Sequence, residues 1–225
     1  MKKVAVMLAG CGVYDGSEIH EAVFTLLHLK KNGLDYHCFA PDKNQFHVVN
    51  HLTGEVLNEE RNVLLESARI ARGEASPLSE LTPEGYDGLV IPGGFGAAKN
   101  LNQWALKGKD GDLDSDVEKV IKDFFNNDKP LLGLCMGPTV IAQALRGTGV
   151  TVTVGEEEDS SYEINDIKSG IESLKVKTKD TTVESVCVDA YNKVVTAPCY
   201  MMNADIVQVE SNIEKAVKGF RKLIL

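Results

Sequence analysis

The chain has 225 residues, enough to bury one sizeable core, and carries 24 Lys and Arg against 33 Asp and Glu, a formal charge of −9. That acidic balance excludes a phosphate-backbone partner, which needs clustered basic side chains. No apolar run approaches the ~20 residues of a membrane-spanning helix, so neither nucleic acid nor membrane is an expected partner.

Residues 3–9 (KVAVMLA) form a β-branched run that closes on glycines, the pattern of a short buried parallel strand. In the following SEIHEAVFTLLHLKKNG, Ile19, Ala22, Val23, Leu26 and Leu27 keep helical spacing, Ser17 stands where it can cap the start, and Gly33 where it can close the end. Residues 35–40 repeat the strand pattern. Residues 45–58 (QFHVVNHLTGEVLN) place a Thr-Gly turn between two strand-like runs and read as a hairpin insertion, followed by the helix-like EERNVLLESARIARG. Two more buried strands are expected over 87–92 and 129–135, and helices over 114–127 and 139–146. Residues 156–170 (EEEDSSYEINDIKSG) are acidic and poor in apolar side chains, which predicts a solvated surface loop or a peripheral helix. VESVCVD and KVVTAP flank Ala190, Tyr191 and Asn192 as a second hairpin. Residues 203–225 carry an apolar stripe of Ile206, Val209, Ile213, Val217, Phe220 and Ile224, which predicts a final amphipathic helix. The alternation implies a doubly wound α/β sheet, and without repeats or linkers the whole of 1–225 reads as a single domain with decorations.

Five cysteines, Cys11, Cys38, Cys135, Cys187 and Cys199, include no Cys-x-x-Cys pair, so neither a disulfide framework nor a metal cage is indicated. Reduced thiols, with an opening MKKVAV that reads as a strand and not as a signal peptide, predict a soluble cytoplasmic protein.

GCGVYDG sets Gly10, Gly12 and Gly16 after the first strand, but a dinucleotide fingerprint wants its third glycine at position 15, where Asp15 stands. There is no Gly-Lys-Ser or Gly-Lys-Thr phosphate loop either, so these glycines read as the tight turn into a helix. IPGGFG, residues 91–96, is different, because a strand ending in proline and two glycines can turn its N–H groups toward one point, as an oxyanion requires. GLCMG, residues 133–137, has the Gly-x-nucleophile-x-Gly order of a nucleophile elbow between a strand and a helix. The helix N-terminus there favours a thiolate at Cys135. Cys38 and Cys187 lie in strand-like runs and read as small packed hydrophobes. Cys11 sits in a loop near the same sheet edge, where it can line the pocket.

Every histidine lies at or before position 51, so no late histidine serves Cys135. The remaining candidates stand in the first helix: Glu18, His20 and Glu21. A carboxylate beside a thiolate repels it unless the two share a proton. Glu21 is the candidate for that pairing. Glu18 reads as a first-turn carboxylate that favours the helix dipole, and His20 as a surface histidine or a base.

At these residues the sequence resembles the PfpI superfamily, which includes bacterial stress proteins. GCGVYDGSEIHEAVFTLL, CFAPDK, NHLTGE, RNVLLESARIARG and PGGFGAAKNL are similar to its ElbB or ES-one branch, associated with glyoxalase-like activity and with isoprenoid biosynthesis. The resemblance implies a flavodoxin-like three-layer α/β/α sandwich, like that of class I glutamine amidotransferases, often as a homodimer. It implies Cys135 as nucleophile, Glu21 as its acid partner, and the Gly93, Gly94 and Met136 amides as oxyanion donors. Thr196 to Tyr200, with Cys199, occupies the segment where amidotransferases keep their histidine, which disfavours glutaminase chemistry. Members with strong turnover often carry a histidine after the cysteine, where Met136 stands here. The expected function is therefore slow, cofactor-free, glyoxalase III-like conversion of glyoxal or methylglyoxal to a 2-hydroxy acid, with apparent deglycase activity as a corollary. The alternative is a redox or stress sensor that uses an oxidisable Cys135 without turnover.

Overall fold

The computed structural model describes residues 2–224. Its strands are β1 (Lys3–Met7), β2 (Asp35–Ala40), β3 (Ala75–Pro77), β4 (Leu89–Ile91), β5 (Leu131–Leu134), β6 (Thr151–Val152), β7 (Lys177–Thr178), β8 (Cys187–Asp189) and β9 (Val194–Ala197). Seven of them form one sheet in the order β3-β2-β1-β4-β5-β9-β8, parallel except for β8, which runs antiparallel to β9. β6 and β7 make a separate parallel pair. The helices are α1 (Ile19–Lys31), α2 (Val63–Ile70), α3 (Trp104–Lys107), α4 (Ser115–Asn126), α5 (Gly137–Ala144), α6 (Ile164–Ser173) and α7 (Ile206–Leu223).

The central strands are apolar on both faces because helices cover both. Val4 to Met7, Leu89 to Ile91 and Leu131 to Leu134 are buried throughout, as a parallel sheet between two helical layers requires. α1 packs on α7 and α2, and α5 on α4 and α6. The result is the doubly wound α/β sheet expected from the strand and helix alternation, in the flavodoxin-like sandwich that the family resemblance implies. Since β1, β4, β5 and β9 run in one direction, the loops after them meet at a single edge of the sheet, where a doubly wound fold places its ligand site.

Several local expectations change. The first helix buries Ala22, Leu26 and Leu29, with Glu21, Thr25 and His28 beside them, while Ile19, Val23 and Leu27 remain 45%, 46% and 43% exposed. α1 packs against β2 and against α7, which itself lies on β5 and β9, and His28 Nε2 meets Glu210 Oε1 of α7 at 2.8 Å. Polar residues therefore occupy an interior seam, and part of the apolar stripe faces outward. The cap of α1 is Glu18, whose carboxylate accepts from Glu21 N–H at 2.7 Å. Ser17 Oγ instead accepts from Ala9 N–H at 2.8 Å, pinning the turn after β1. In 45–58 the chain doubles back through one bridge, Val49 to Val56, without forming regular strands. α7 starts at Ile206, which is 44% exposed, so the buried stripe begins at Val209. The acidic segment divides into an exposed loop and α6, whose Ile164 and Ile171 are buried.

Candidate active site

Cys135 follows β5 directly and takes φ of +54°, the left-handed region that L side chains rarely adopt. The turn is held on both sides. Cys135 N–H donates to Ala197 O at 2.9 Å, and a Cβ at Gly137 would lie 2.6 Å from Ile91 O. Strain at a cysteine between a strand and a helix is what a nucleophile elbow stores.

Glu21 is completely buried in the first turn of α1. Its Oε2 accepts from Gly93 N–H at 3.1 Å and its Oε1 from Tyr200 N–H at 3.3 Å, and its carboxyl lies beside the Cys135 side chain. The packing is tight: a Cβ at Gly93 would lie 2.3 Å from Cys135 Cβ and 2.6 Å from Glu21 Oε2. The N–H groups of Gly94 and Met136 face the Cys135 sulfur. Gly93, expected as an oxyanion donor, instead spends its N–H on Glu21, leaving the oxyanion contact to Gly94 and Met136.

Burial, then the neighbouring Glu18 charge, pushes the Glu21 pKa up to about 8. Burial and Glu21 also push the Cys135 thiol up, against the pull of the Gly94 and Met136 N–H groups. Glu21 and Cys135 thus titrate as a pair. Below about pH 8 the Glu21 carboxyl keeps a proton that it can donate.

That proton is linked to stability. The folded protein holds it up to about pH 8, whereas an ordinary glutamate releases it near 4.5, so stability is full below that lower value and falls as pH rises through the window. The slope for one proton is ~1.4 kcal/mol per pH unit. In Glu21→Gln this slope is expected to vanish, while the amide, with one oxygen for two N–H donors, costs ~1–3 kcal/mol at pH 5. Urea unfolding at pH 5 and pH 8 reads both effects.

Glu18 lines the small pocket beside Cys135, but its carboxylate is engaged in capping α1. His20 points to the rim, with Nδ1 2.9 Å from the Tyr200 hydroxyl and a half-exposed side chain. Cys199 is fully buried and also has positive φ, +47°. Its sulfur lies against the Cys135 backbone N–H, behind the pocket and outside its lining. Cys11 does not line this pocket; its charged surroundings are Glu66 and Arg69 of α2, with Asp15. The loop between β1 and α1 directs it away from the elbow.

The cavity at Cys135 measures about 20 Å³, room for roughly one water molecule. Phe95, Tyr162, Tyr200 and Met201 close it. Tyr162 was hidden in the sequence because it stands within the acidic segment read as solvated; a lone aromatic between Ser161 and Glu163 was the available signal.

A strained cysteine on the edge of a parallel sheet, paired with a buried carboxyl from the first helix, defines a class of α/β-sandwich proteins with a nucleophile elbow. The DJ-1/PfpI family model matches residues 2–202, and the chain belongs to that family. It is 42% identical over 222 residues to the rat "ES1 protein homolog, mitochondrial", covering 98% of this chain and 84% of that protein. It is likewise 42% identical over 222 residues to the human "Glutamine amidotransferase-like class 1 domain-containing protein 3, mitochondrial", covering 98% and 83%. The crystal structure of an "isoprenoid biosynthesis protein with amidotransferase-like domain" from Ehrlichia chaffeensis superposes with a TM-score of 0.91 at 33% identity over 100% of both chains. The names of the rat and human relatives overturn the cytoplasmic expectation, since both are described as mitochondrial. Reduced thiols do not distinguish one reducing compartment from another.

Proposed function

We propose that the protein is a cofactor-free, glyoxalase III-like enzyme that converts small dicarbonyls to 2-hydroxy acids. The observation that carries this reading is the seating of Cys135 between the buried Glu21 carboxyl and the N–H groups of Gly94 and Met136. Glu21, in its ionised fraction, takes the Cys135 thiol proton as the sulfur adds to the aldehyde carbon, and the carbonyl oxygen takes the negative charge opposite the two N–H groups. Glu21 gives its proton to that oxygen, forming a neutral hemithioacetal. The resulting carboxylate removes the proton from the same carbon, and the electron pair moves through an enediol. Glu21 returns the proton to the adjacent carbon while the hydroxyl proton of the first carbon passes to the adjacent oxygen, leaving a thioester on Cys135. Water cleaves the thioester and releases glycolate from glyoxal or lactate from methylglyoxal.

The test is product formation by metal-stripped protein. Glycolate or lactate above the buffer rate is expected, with Glu21→Gln at least tenfold slower; no product from the unmodified protein refutes the reading. A second reading, a peroxide sensor, is favoured by the one-water size of the cavity. Two equivalents of peroxide would oxidise the Cys135 thiol to a sulfinate and be reduced to water, with Glu21 and the two N–H groups holding the oxygens. A gain of two oxygen atoms at Cys135 without dicarbonyl turnover supports it. The outward apolar stripe of Ile19, Val23 and Leu27 supports a homodimer in either case.

A further inference from the structure

Beside the closed Cys135 pocket lies a second, much larger space between α3 and α6, about 550 Å³ in volume. The two are neighbours: Phe95, Met136, Tyr162 and Met201 line both. The Phe95 and Tyr162 rings, 6.0 Å apart and edge-on at 63°, form part of the wall between them. A carbonyl compound larger than water does not fit at Cys135 while that wall is closed, but its body fits the groove, whose volume is ordinary for a small-molecule site.

The groove also has a chemical character. Trp104, the single tryptophan of the chain, lines it with Ile167 and Gly170. Gly170 sits inside α6, where glycine is unfavourable. A Cβ there would lie 3.0 Å from Trp104 Cζ2, so the missing side chain lets the indole lie against the helix. Lys107 and Lys109 stand at the groove with only Asp166 of opposite charge lining it. Their own partners, Asp112 at 3.4 Å and Asp110 at 2.8 Å, are 78% and 77% exposed, and such surface pairs are easily exchanged for a ligand anion.

We propose that this groove holds the body of the substrate, and that the substrate class is an aromatic carbonyl compound bearing an anionic group. The ring lies along Trp104, the anion meets Lys107 and Lys109, and the carbonyl reaches Cys135 when the Phe95 and Tyr162 wall opens. The inference rests on Cys135 as the reacting group but extends it from the smallest dicarbonyls to a larger class.

Binding tests it without turnover. Benzoylformate, which has the ring, the carbonyl and the carboxylate, is titrated into Cys135→Ser protein while Trp104 fluorescence is followed. A saturable change is expected, at least tenfold tighter than for pyruvate, which lacks the ring. Lys107→Glu with Lys109→Glu is expected to weaken it at least tenfold. Ala105→Phe or Ser169→Phe, both exposed residues filling the groove, should abolish it with circular dichroism unchanged. No saturable change, equal binding of pyruvate, or binding indifferent to the lysine and groove-filling variants overturns the proposal. The dicarbonyl reading is decided separately by glycolate and lactate formation in the unmodified protein.

Discussion

Cys135→Ser is expected to lower lactate formation from methylglyoxal by a factor on the order of 10³ or more, with the fold intact. A buried carboxyl that titrates near pH 8 can share a proton with a thiol, but it is far too weak a base to ionise a serine hydroxyl. Among the residues that line the pocket with Cys135, namely Val13, Glu18, Gly94, Phe95, Met136, Tyr162, Tyr200 and Met201, none supplies a second thiol. The hydroxyl is smaller than the thiol, so packing is undisturbed and the loss is one of chemistry. The measurement is kcat/KM on both proteins, alongside their unfolding midpoints. A variant that keeps a tenth of the activity would place the reaction elsewhere on the molecule.

Gly16→Ala is expected to destabilise the protein by about 3–5 kcal/mol, a large share of the stability of a domain this size. An added Cβ would lie 2.2 Å from Cys11 N and 2.6 Å from the Gly10 carbonyl carbon. From the other side, a Cβ on Gly96 would meet Gly16 Cα at 2.3 Å, and one on Gly94 would meet Gly16 O at 2.5 Å. These are backbone atoms, which cannot rotate aside as a side chain would. The glycines of the first loop therefore serve the approach of that loop to the PGGFG turn, and no phosphate is needed to explain them. Gly33→Ala is the control. That residue has positive φ, +72°, which Gly16 does not, but open space around it, so only ~1 kcal/mol is expected there. Urea midpoints of the two variants separate close packing from backbone strain.

β1, β2, β4, β5 and β9 were legible because each is a short apolar run with punctuation at its end, and burial on both faces of the central ones removes any competing pattern, whereas β3, β6 and β7, of two or three residues, carry no such run and were not expected. Topology brought Glu18, His20 and Glu21 to the edge that carries Cys135, since one end of a parallel strand and the start of the next helix share it, and the family resemblance singled out Glu21 among them. The face of α1 was not. Apolar spacing selects Ile19, Val23 and Leu27 as readily as Ala22, Leu26 and Leu29, and only the position of α7 explains why Thr25 and His28 go inside. The use of the Gly93 N–H was equally hidden, because a glycine pair shows that a turn is possible but not which N–H meets which acceptor. Cys11 was misjudged because nearness to a sheet edge in sequence does not say on which side of a loop a side chain emerges. Tyr162 was missed because charge patterning describes a segment and not the one aromatic side chain in it that lines the pocket.

The two borders of the main sheet constrain how copies of this protein meet. One border is β3, three residues ending in Pro77, which has no N–H to offer. The other is β8, also three residues, turned antiparallel and ending at Asp189, whose carboxylate is occupied by the N–H groups of Thr151 and Asn192. Short, interrupted borders of this kind are poor templates for strand addition. Crowding or partial heating should therefore not readily drive the sheet to grow from one molecule into the next, and ordered self-association is left to helix faces.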